Sequence, residues 1–217
     1  MTTYSEMNVP PMIEAQVSQA FEELSVDKAD KQAIEDFLAP LKEKDANSYE
    51  HSLRVGLLAR NIGKYLGMRE KPLLFSGLMH DLGKIVIPDE ILKKTENWTE
   101  EDAKAIEQHV LSGYEKIKGR FDFTAEIVLL HHRFQKKQYP EILPEHLHDY
   151  SEETKKQIFE YGRILAIADV YDALHRKNSK YGESKYLTDE EIKEKMLEGN
   201  TDRADLIESL YKAGIFQ

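Results

Sequence analysis

The sequence contains no cysteine, and this absence removes several kinds of site. A chain without cysteine has no disulfide, no thiolate nucleophile and no zinc site built on thiolates. The sequence also lacks an apolar run of the roughly 18 residues that a membrane-spanning helix needs. It shows no signal-peptide pattern, in which a basic segment is followed by an apolar segment and then by small residues at a cleavage site. We therefore expect a cytoplasmic protein without a membrane span or a signal peptide.

Positive charge is in the minority among the ionisable side chains. The chain has 30 Lys and Arg against 40 Asp and Glu, which gives a formal net charge of −10. Such an acidic chain does not attract nucleic acids or anionic lipids over its whole surface. A small phosphorylated ligand is still compatible with this charge where a few local cations overcome the acidic field. The sequence leaves open whether the chain forms an oligomer.

Apolar residues recur at helical spacing along most of the chain. Val55 and Leu58 belong to one such stripe, and Gly67 is a typical stop for that helix. Short apolar runs that could pass for strands have no partner run to pair with. The pattern therefore predicts an all-α helical bundle. We expect a tail and a helical extension over residues 1–44 and a single domain over residues 45–217.

Titratable side chains interrupt the apolar pattern of five predicted helices. Burying an imidazole or a carboxylate without a partner costs several kcal/mol, so a salt bridge, a proton relay or a metal ion must satisfy each one. One such residue is usually a satisfied core residue or a cap, but five helices with the same feature need a shared explanation. Imidazole nitrogens and carboxylate oxygens suit first-row metal ions, and a bundle can project them inward from separate helices. The candidate ligands are His51, His80, Asp81, His109, His131, His132 and Asp169.

The motifs around these residues resemble the HD superfamily of metal-dependent phosphohydrolases. "HDLGKIVIPDEIL" at 80–92, "HVLSGYEKI" at 109–117, the "HH" pair at 131–132 and "ADVYDAL" at 168–174 are similar, in this order, to its HD-GYP branch. The resemblance covers roughly residues 45–214. It implies an HD-domain helical bundle with a short N-terminal helical extension.

The resemblance also implies a role for each candidate residue. Lys84 matches the family's lysine that contacts the scissile phosphate, so Lys84 and Asp81 are the expected catalytic residues. Members that hold a third ion have a Glu where this chain has Asn47, and an amide is a poor ligand, so two ions are expected. Independently of the resemblance, the position of Asp172 three residues after Asp169 allows it to orient a ligand, to cap its helix or to face solvent. The ligands would be His51, His80, Asp81 and Asp169 for one ion and Asp81, His109, His131 and His132 for the other.

The loops that are expected to bind the substrate depart from the family pattern. The branch signature HHExxDGxGYP is replaced here by "HHRFQKKQYP", in which the Glu is Arg133 and both glycines are missing. The family's arginine in a "DRPYR" segment after "ADVYDAL" is also absent. Hydrolysis of cyclic di-GMP is therefore left open. Basic residues that could contact phosphate instead are Arg133, Lys136, Lys137 and Lys185.

We predict a two-metal phosphohydrolase, either a phosphodiesterase or a phosphomonoesterase, acting on a small phosphorylated substrate such as a cyclic dinucleotide or a nucleotide. Two ions about 3.5–4 Å apart would activate water and polarise the phosphoryl oxygens. Iron or manganese is expected, and zinc, cobalt and nickel are also compatible with these ligands. Two alternatives stay open: a mixed-valent di-iron oxygenase with the same ligand set, and a non-catalytic nucleotide-binding signalling module.

Overall fold

A computed structural model describes residues 12–176 and 186–216 of the chain. All regular structure in these two ranges is helical and no strand occurs in them, which confirms the predicted all-α fold. The elements are α1 (Met12–Glu23), α2 (Lys28–Lys44), α3 (Ala46–Tyr65), α4 (Glu70–Met79), a 3-10 helix (Leu82–Val86), α5 (Asp89–Leu92), α6 (Glu100–Ile117), α7 (Asp122–Val128), α8 (Glu152–Leu174), α9 (Asp189–Gly199), a second 3-10 helix (Thr201–Arg203) and α10 (Ala204–Lys212).

Helices α3 and α4 pack side by side at the centre of the bundle. Every residue of α4 from Pro72 to Met79 is buried, because α2, α3, α7 and α8 all pack against this helix. The two backbones approach closely where Gly56 faces Gly77: a Cβ built on Gly77 would lie 2.5 Å from the Cα of Gly56. Glycine at both positions permits this contact, and it fixes α3 against the end of α4, directly before His80.

The predicted N-terminal extension packs onto the same core. Ile13 and Phe21 of α1 and Ile34 of α2 are buried in one hydrophobic cluster with the side chains of α3 and α4. Asp45 ends α2 and begins α3, where its carboxylate accepts a hydrogen bond from Ser48 N at 3.1 Å. Helices α1 and α2 therefore support the helix that carries His51, and a domain boundary after residue 44 stays a prediction.

Local sequence signals fix several helix ends. Gly67 has a φ of +67° and lies just past the end of α3, as the sequence predicts. Thr99 and Thr188 each form a capping box with the residue three positions later, at the starts of α6 and α9. None of the helices within the described ranges is long and apolar enough to cross a bilayer.

Candidate metal centre

The seven candidate ligands meet at one place inside the bundle. Six of them are buried, and His132 is half-buried. Five separate helices or helix ends supply them, which explains why they are scattered along the sequence. They come from the middle of α3 (His51), the end of α4 (His80 and Asp81), the middle of α6 (His109), the turn after α7 (His131 and His132) and the C-terminal half of α8 (Asp169).

One group of ligand atoms gathers around His51. Its Nε2 lies 3.3 Å from His80 Nε2, 3.1 Å from Asp169 Oδ1 and 3.7 Å from Asp81 Oδ2. His80 Nε2 also lies 3.4 Å from Asp81 Oδ2 and 3.8 Å from Asp169 Oδ1. Two imidazoles and two carboxylates thus face a common point, and His51, His80 and Asp81 alone already have the spacing of a metal-binding group.

A second group consists of His109, His131 and His132. His109 Nε2 lies 3.3 Å from His131 Nε2, and all three residues offer a nitrogen within 4.8 Å of the others. Asp81 joins the two groups, because its Oδ1 is 3.4 Å from His109 Nε2 while its Oδ2 faces His51 and His80. A carboxylate with one oxygen towards each group is placed as a bridging ligand would be.

Backbone carbonyls orient three of the imidazoles in the same way. His80, His109 and His131 each donate their Nδ1–H to the carbonyl three residues earlier, at 2.8, 2.6 and 2.6 Å. His51 donates its Nδ1–H to Asp172 Oδ2 at 2.7 Å. In a neutral ring the proton on Nδ1 leaves the lone pair on Nε2. In their neutral form, these four rings therefore turn the lone pair of Nε2 towards the centre.

The facing lone pairs test whether a cation fits this site. His51 Nε2 faces His80 Nε2, and His109 Nε2 faces His131 Nε2, each at 3.3 Å. Two acceptors at that distance cannot form a hydrogen bond with each other while both rings are neutral. Two nitrogens bound to one ion at about 2.0–2.1 Å in tetrahedral geometry would be separated by about this distance. The donor set therefore fits divalent metal ions.

The pKa values agree with this interpretation. Burial lowers the pKa of His109 to about 4 and that of His132 to about 3, and it also lowers the pKa values of His80 and His131. The imidazoles of these four residues therefore stay neutral at neutral pH, which leaves their lone pairs free to bind a cation. Burial acts to raise the pKa of Asp81, but the Lys84 ammonium and the neighbouring imidazoles hold it well below its usual value.

Asp172 and Arg54 hold the candidate ligand His51 through its Nδ1, on the side of the ring away from the other candidate ligands. Asp172 is fully buried and accepts a hydrogen bond from Arg54 Nε at 2.6 Å as well as the one from His51. Although burial acts to raise its pKa, the contacts to His51 and Arg54 hold the pKa of this carboxyl below its ordinary value. Of the alternatives that the sequence left open for Asp172, the structure supports contact with a candidate ligand, His51.

A cavity of about 620 Å³ opens above the two groups. Lys84 lines it with Nζ 2.6 Å from Asp81 Oδ2, and Lys136 and Lys137 also line it. Lys137 forms an ion pair with Glu107 at 2.5 Å. The expected phosphate contacts of these lysines stay predictions.

Arg133 and Lys185 complete the set of predicted substrate-binding residues. Arg133 is not among the residues that line the cavity, because its Nη1 donates a hydrogen bond to the Pro140 carbonyl at 2.7 Å. A contact between this guanidinium and phosphate stays a prediction. Lys185 lies outside the described residues.

Several cavity residues were not identified from the sequence. Arg163 of α8 lines the cavity, donates to Asn200 Oδ1 at 2.9 Å and forms an ion pair with Asp202 at 2.6 Å. Its position within an apolar helical run is the same signal that identified the ligands and could have identified it as well. Lys195 lies on α9, which no local pattern connects to the histidines. The cavity residues missed in this way include Arg163, Lys195, Gly199 and Asn200.

The chain is similar in sequence to known proteins. A sequence model of the HD domain matches residues 48–174, more than half of the chain. The chain is 34% identical over 157 residues to a cyclic di-GMP phosphodiesterase of Thermotoga maritima, covering 64% of this chain and 40% of that protein. It is 31% identical over 137 residues to the 3'3'-cGAMP-specific phosphodiesterase 1 of Vibrio cholerae, covering 60% of this chain and 30% of that protein. The matches thus span 40% or less of the length of these two relatives.

A solved structure has a similar fold. The HD domain of the L. monocytogenes phosphodiesterase PgpH in complex with cyclic-di-AMP superposes with a TM-score of 0.58 at 19% sequence identity, covering 83% of this chain and 93% of that one. An identity this low shows the shared fold and no more. The match over residues 48–174, together with the helical architecture, agrees with what the sequence motifs predict: the chain belongs to the HD domain family.

Proposed function

We propose that this protein is a two-metal phosphodiesterase that hydrolyses a small phosphorylated substrate, with cyclic dinucleotides as the first class to test. The relatives with sequence similarity carry the names of phosphodiesterases for cyclic di-GMP and for 3'3'-cGAMP. Their names give the substrate class, and the site gives the chemical reason why this chain could act on it.

A single observation carries the proposal: the Asp81 carboxylate lies between two groups of inward-facing imidazoles. Its Oδ1 is 3.4 Å from His109 Nε2, and its Oδ2 is 3.4 Å from His80 Nε2. When bound, two ions supply Lewis acidity towards phosphoryl oxygens and lower the pKa of water to near neutrality. The two groups would hold one ion each.

The side chains around the groups support phosphoryl chemistry. Lys84 Nζ sits at the floor of the cavity, 2.6 Å from Asp81 Oδ2, where it can neutralise charge that develops on a phosphoryl oxygen. Other cations line the walls although the chain as a whole is acidic. An anionic ligand would therefore be attracted to this cavity more than to the surrounding surface. The wall cations are Lys136, Lys137, Arg163, Arg176 and Lys195.

The cavity also has the size and the apolar surface that a nucleotide needs. Its volume of about 620 Å³ lies within the range of about 300–1,000 Å³ that ligand pockets have. Ile106, Val170 and Leu174 contribute apolar wall, and Phe134 contributes an aromatic ring. Flat bases could pack against these side chains while the phosphates face the cations.

Turnover of a substrate panel tests the proposal. Protein stripped of metal is reloaded with Mn²⁺ or, without oxygen, with Fe²⁺, and is incubated with cyclic di-GMP, cyclic-di-AMP, 3'3'-cGAMP and a phosphomonoester. We expect a linear dinucleotide or mononucleotides from at least one cyclic dinucleotide, and no product from the metal-free protein. His109→Asn should abolish turnover, whereas His148→Asn, a change at an exposed histidine whose ring contacts Asp122, should not.

Each other outcome favours one alternative or overturns the proposal. Oxygen consumption with an organic substrate, supported by iron and not by manganese, would favour the di-iron oxygenase. Tight binding of a cyclic dinucleotide without cleavage would favour the signalling module. No turnover of any member of the panel with either metal would contradict the phosphodiesterase assignment.

A further inference from the structure

The loop of residues 133–140 follows the His131–His132 pair and forms one wall of the cavity. Arg133 stands at its start, where the backbone N–H of this residue donates to the Leu130 carbonyl at 2.8 Å and so fixes it to the turn after α7. Its side chain reaches across the loop and donates to the Pro140 carbonyl at 2.7 Å. One arginine therefore joins the two ends of the loop.

The C-terminal end of this loop presents Tyr139 to the ligands. The Tyr139 ring is stacked on the His132 ring with the centroids 4.3 Å apart and the planes 27° apart. It also meets the His109 ring edge-on at 6.2 Å. From the first half of the loop, the Gln135 amide lies 2.8 Å from His132 Nδ1. The loop therefore contacts His132 on its face and at one nitrogen.

His132 depends on this loop more than the other imidazoles do. Carbonyls within the same helix or turn orient His80, His109 and His131, and a buried carboxylate orients His51. The contacts described for His132 come instead from loop side chains and neighbouring rings. A change in the shape of the loop would therefore alter the orientation of His132 first.

Other contacts hold the first half of the loop in place. The Phe134 ring packs against Phe159 with centroids 5.0 Å apart and lies under the Arg163 guanidinium at 5.1 Å. Lys137 forms its ion pair with Glu107. Neither contact reaches the end of the loop that carries Tyr139. The bond from Arg133 to Pro140 does reach that end and adds a hydrogen bond to the stacking of Tyr139 on His132, so both contacts tie the end of the loop to the turn after α7.

We propose that Arg133 is a positioning residue: by tying Pro140 to the turn after α7, it holds Tyr139 against His132 and so fixes that imidazole as a ligand. The inference rests on the proposed function, since it requires an ion at the His109, His131 and His132 group. It replaces the expectation that this arginine contacts phosphate. It also accounts for an arginine at this position, since the glutamate of the family signature could not donate to a carbonyl.

Binding of Co²⁺ to the metal-free protein tests this role without relying on turnover. Titration calorimetry and the visible absorption of bound Co²⁺ report affinity and ligand geometry. We expect wild type to take up two ions. Arg133→Met keeps most of the apolar stem but removes the hydrogen-bond donor. The affinity for one of the two ions should fall by about tenfold to a hundredfold. Its absorption spectrum should change, while the affinity for the other ion should stay as in wild type.

Further variants separate positioning from general damage. Tyr139→Ala should reproduce the defect of Arg133→Met, and the double variant should be no worse than either single one, because both act through the same contact. Arg133→Lys retains a donor and should rescue most of the affinity. Tyr139→Phe keeps the stacked ring and should bind Co²⁺ as wild type does. Arg69→Met, a change at an exposed arginine before α4, is the control. Thermal unfolding establishes that each variant folds.

The outcomes separate this inference from the proposed function. If wild type takes up two ions and Arg133→Met binds both with wild-type affinity and spectrum, the positioning role is wrong. A raised KM for a phosphodiester with unchanged Co²⁺ binding would also overturn it and would restore a phosphate contact for Arg133. If wild type takes up no ion at the group of His109, His131 and His132, both the two-metal function and this inference are wrong.

Discussion

His51 Nδ1 donates a hydrogen bond to Asp172 Oδ2 over 2.7 Å, although the two residues are 121 positions apart in the sequence. Arg54 donates to the other oxygen of the same carboxylate at 2.6 Å, so Asp172 cannot easily change its position. Carboxylates that accept from the second nitrogen of a ligating histidine fix the orientation of the ring and raise its basicity. Asp172 is thus placed to set the affinity of His51 for a metal ion.

Replacing this carboxylate by an amide should weaken metal binding. Asp172→Asn keeps the shape but removes the charge that attracts the His51 proton and pairs with Arg54. We expect the affinity for one ion to fall by about tenfold to a hundredfold, measured by titration of the metal-free protein. Asp205→Asn, a change at an exposed residue in the first turn of α10, should leave the affinity unchanged. Equal affinity in Asp172→Asn and wild type would mean that the ring is oriented by its other contacts.

Lys84 should be needed for turnover and not for metal binding. Its ammonium lies 2.6 Å from Asp81, so it repels any cation held by that carboxylate. Lys84→Met should therefore keep or increase metal affinity, while kcat falls by about a hundredfold to a thousandfold because a donor to developing phosphoryl charge is lost. Lys93→Met, which removes an exposed ion pair with Asp89, is the matched control. Loss of metal together with activity would show that the lysine instead organises the ligands.

The stability of the metal-free protein should depend on pH between about 4 and 6.5. Burial lowers the pKa of His109 to about 4 from its ordinary value of 6.5, so in this window the unfolded chain binds the proton and the folded chain does not. The free energy of unfolding should therefore fall as the pH drops, by about 1.4 kcal/mol per pH unit for each such histidine. The depressed pKa values of Asp81 and Asp169 act only at lower pH, because their window begins near the ordinary aspartate value of 3.8.

Urea unfolding with a chelator at pH 7, 6 and 5 measures this slope. His109→Asn removes one of the groups and should give a shallower slope, whatever its stability at pH 7. His148→Asn changes a largely exposed ring and serves as the control. A slope that His109→Asn leaves unchanged would mean that this imidazole is not kept neutral by the fold.

Binding of metal should raise the melting temperature in proportion to the number of ions bound. At a free concentration of about 100 times Kd, one ion adds about 2.7 kcal/mol to the free energy of unfolding. For a chain of this length that corresponds to about 5–10 °C for each ion. Differential scanning calorimetry should show roughly half of the total shift in His109→Asn, because the group around His51 stays intact. A full shift in that variant would contradict the division into two groups.

The sequence predicted which side chains meet at this centre because titratable groups among apolar helical residues leave a local pattern. The orientation of the Arg133 side chain could not be predicted in this way. A basic residue next to two histidines has the same sequence pattern whether its side chain faces the cavity or the Pro140 carbonyl. Lys195 and Asn200 reach the cavity only because α9 packs against α8, and that packing depends on contacts between distant parts of the chain. Asp172 is an intermediate case: its spacing from Asp169 leaves a supporting role, a cap and a surface position equally open, and only the structure identifies His51 and Arg54 as its partners.

Gly83 gives a test of how closely the group around His51 and the group of His109, His131 and His132 are held together. A Cβ at this position would lie 1.8 Å from the His109 carbonyl oxygen and 2.6 Å from Gly113 N, and both of these are backbone atoms. No side-chain rotation can relieve such a contact, so Gly83→Ala must push the 3-10 helix at Leu82–Val86 away from α6. The 3.4 Å separation between Asp81 Oδ1 and His109 Nε2 should then increase.

We therefore expect two linked effects of Gly83→Ala. The free energy of unfolding should fall by about 1–3 kcal/mol, which is the usual cost of overpacking. The ion at the group of His109, His131 and His132 should also bind more weakly than in wild type. Urea unfolding and metal titration measure the two effects on the same protein. Gly199→Ala is the control for stability, because a Cβ there would meet no atom within 4 Å and alanine favours the helix. If Gly83→Ala is destabilised while it keeps both ions at full affinity, the contact between the 3-10 helix and α6 supports the fold without setting the distance from Asp81 to His109.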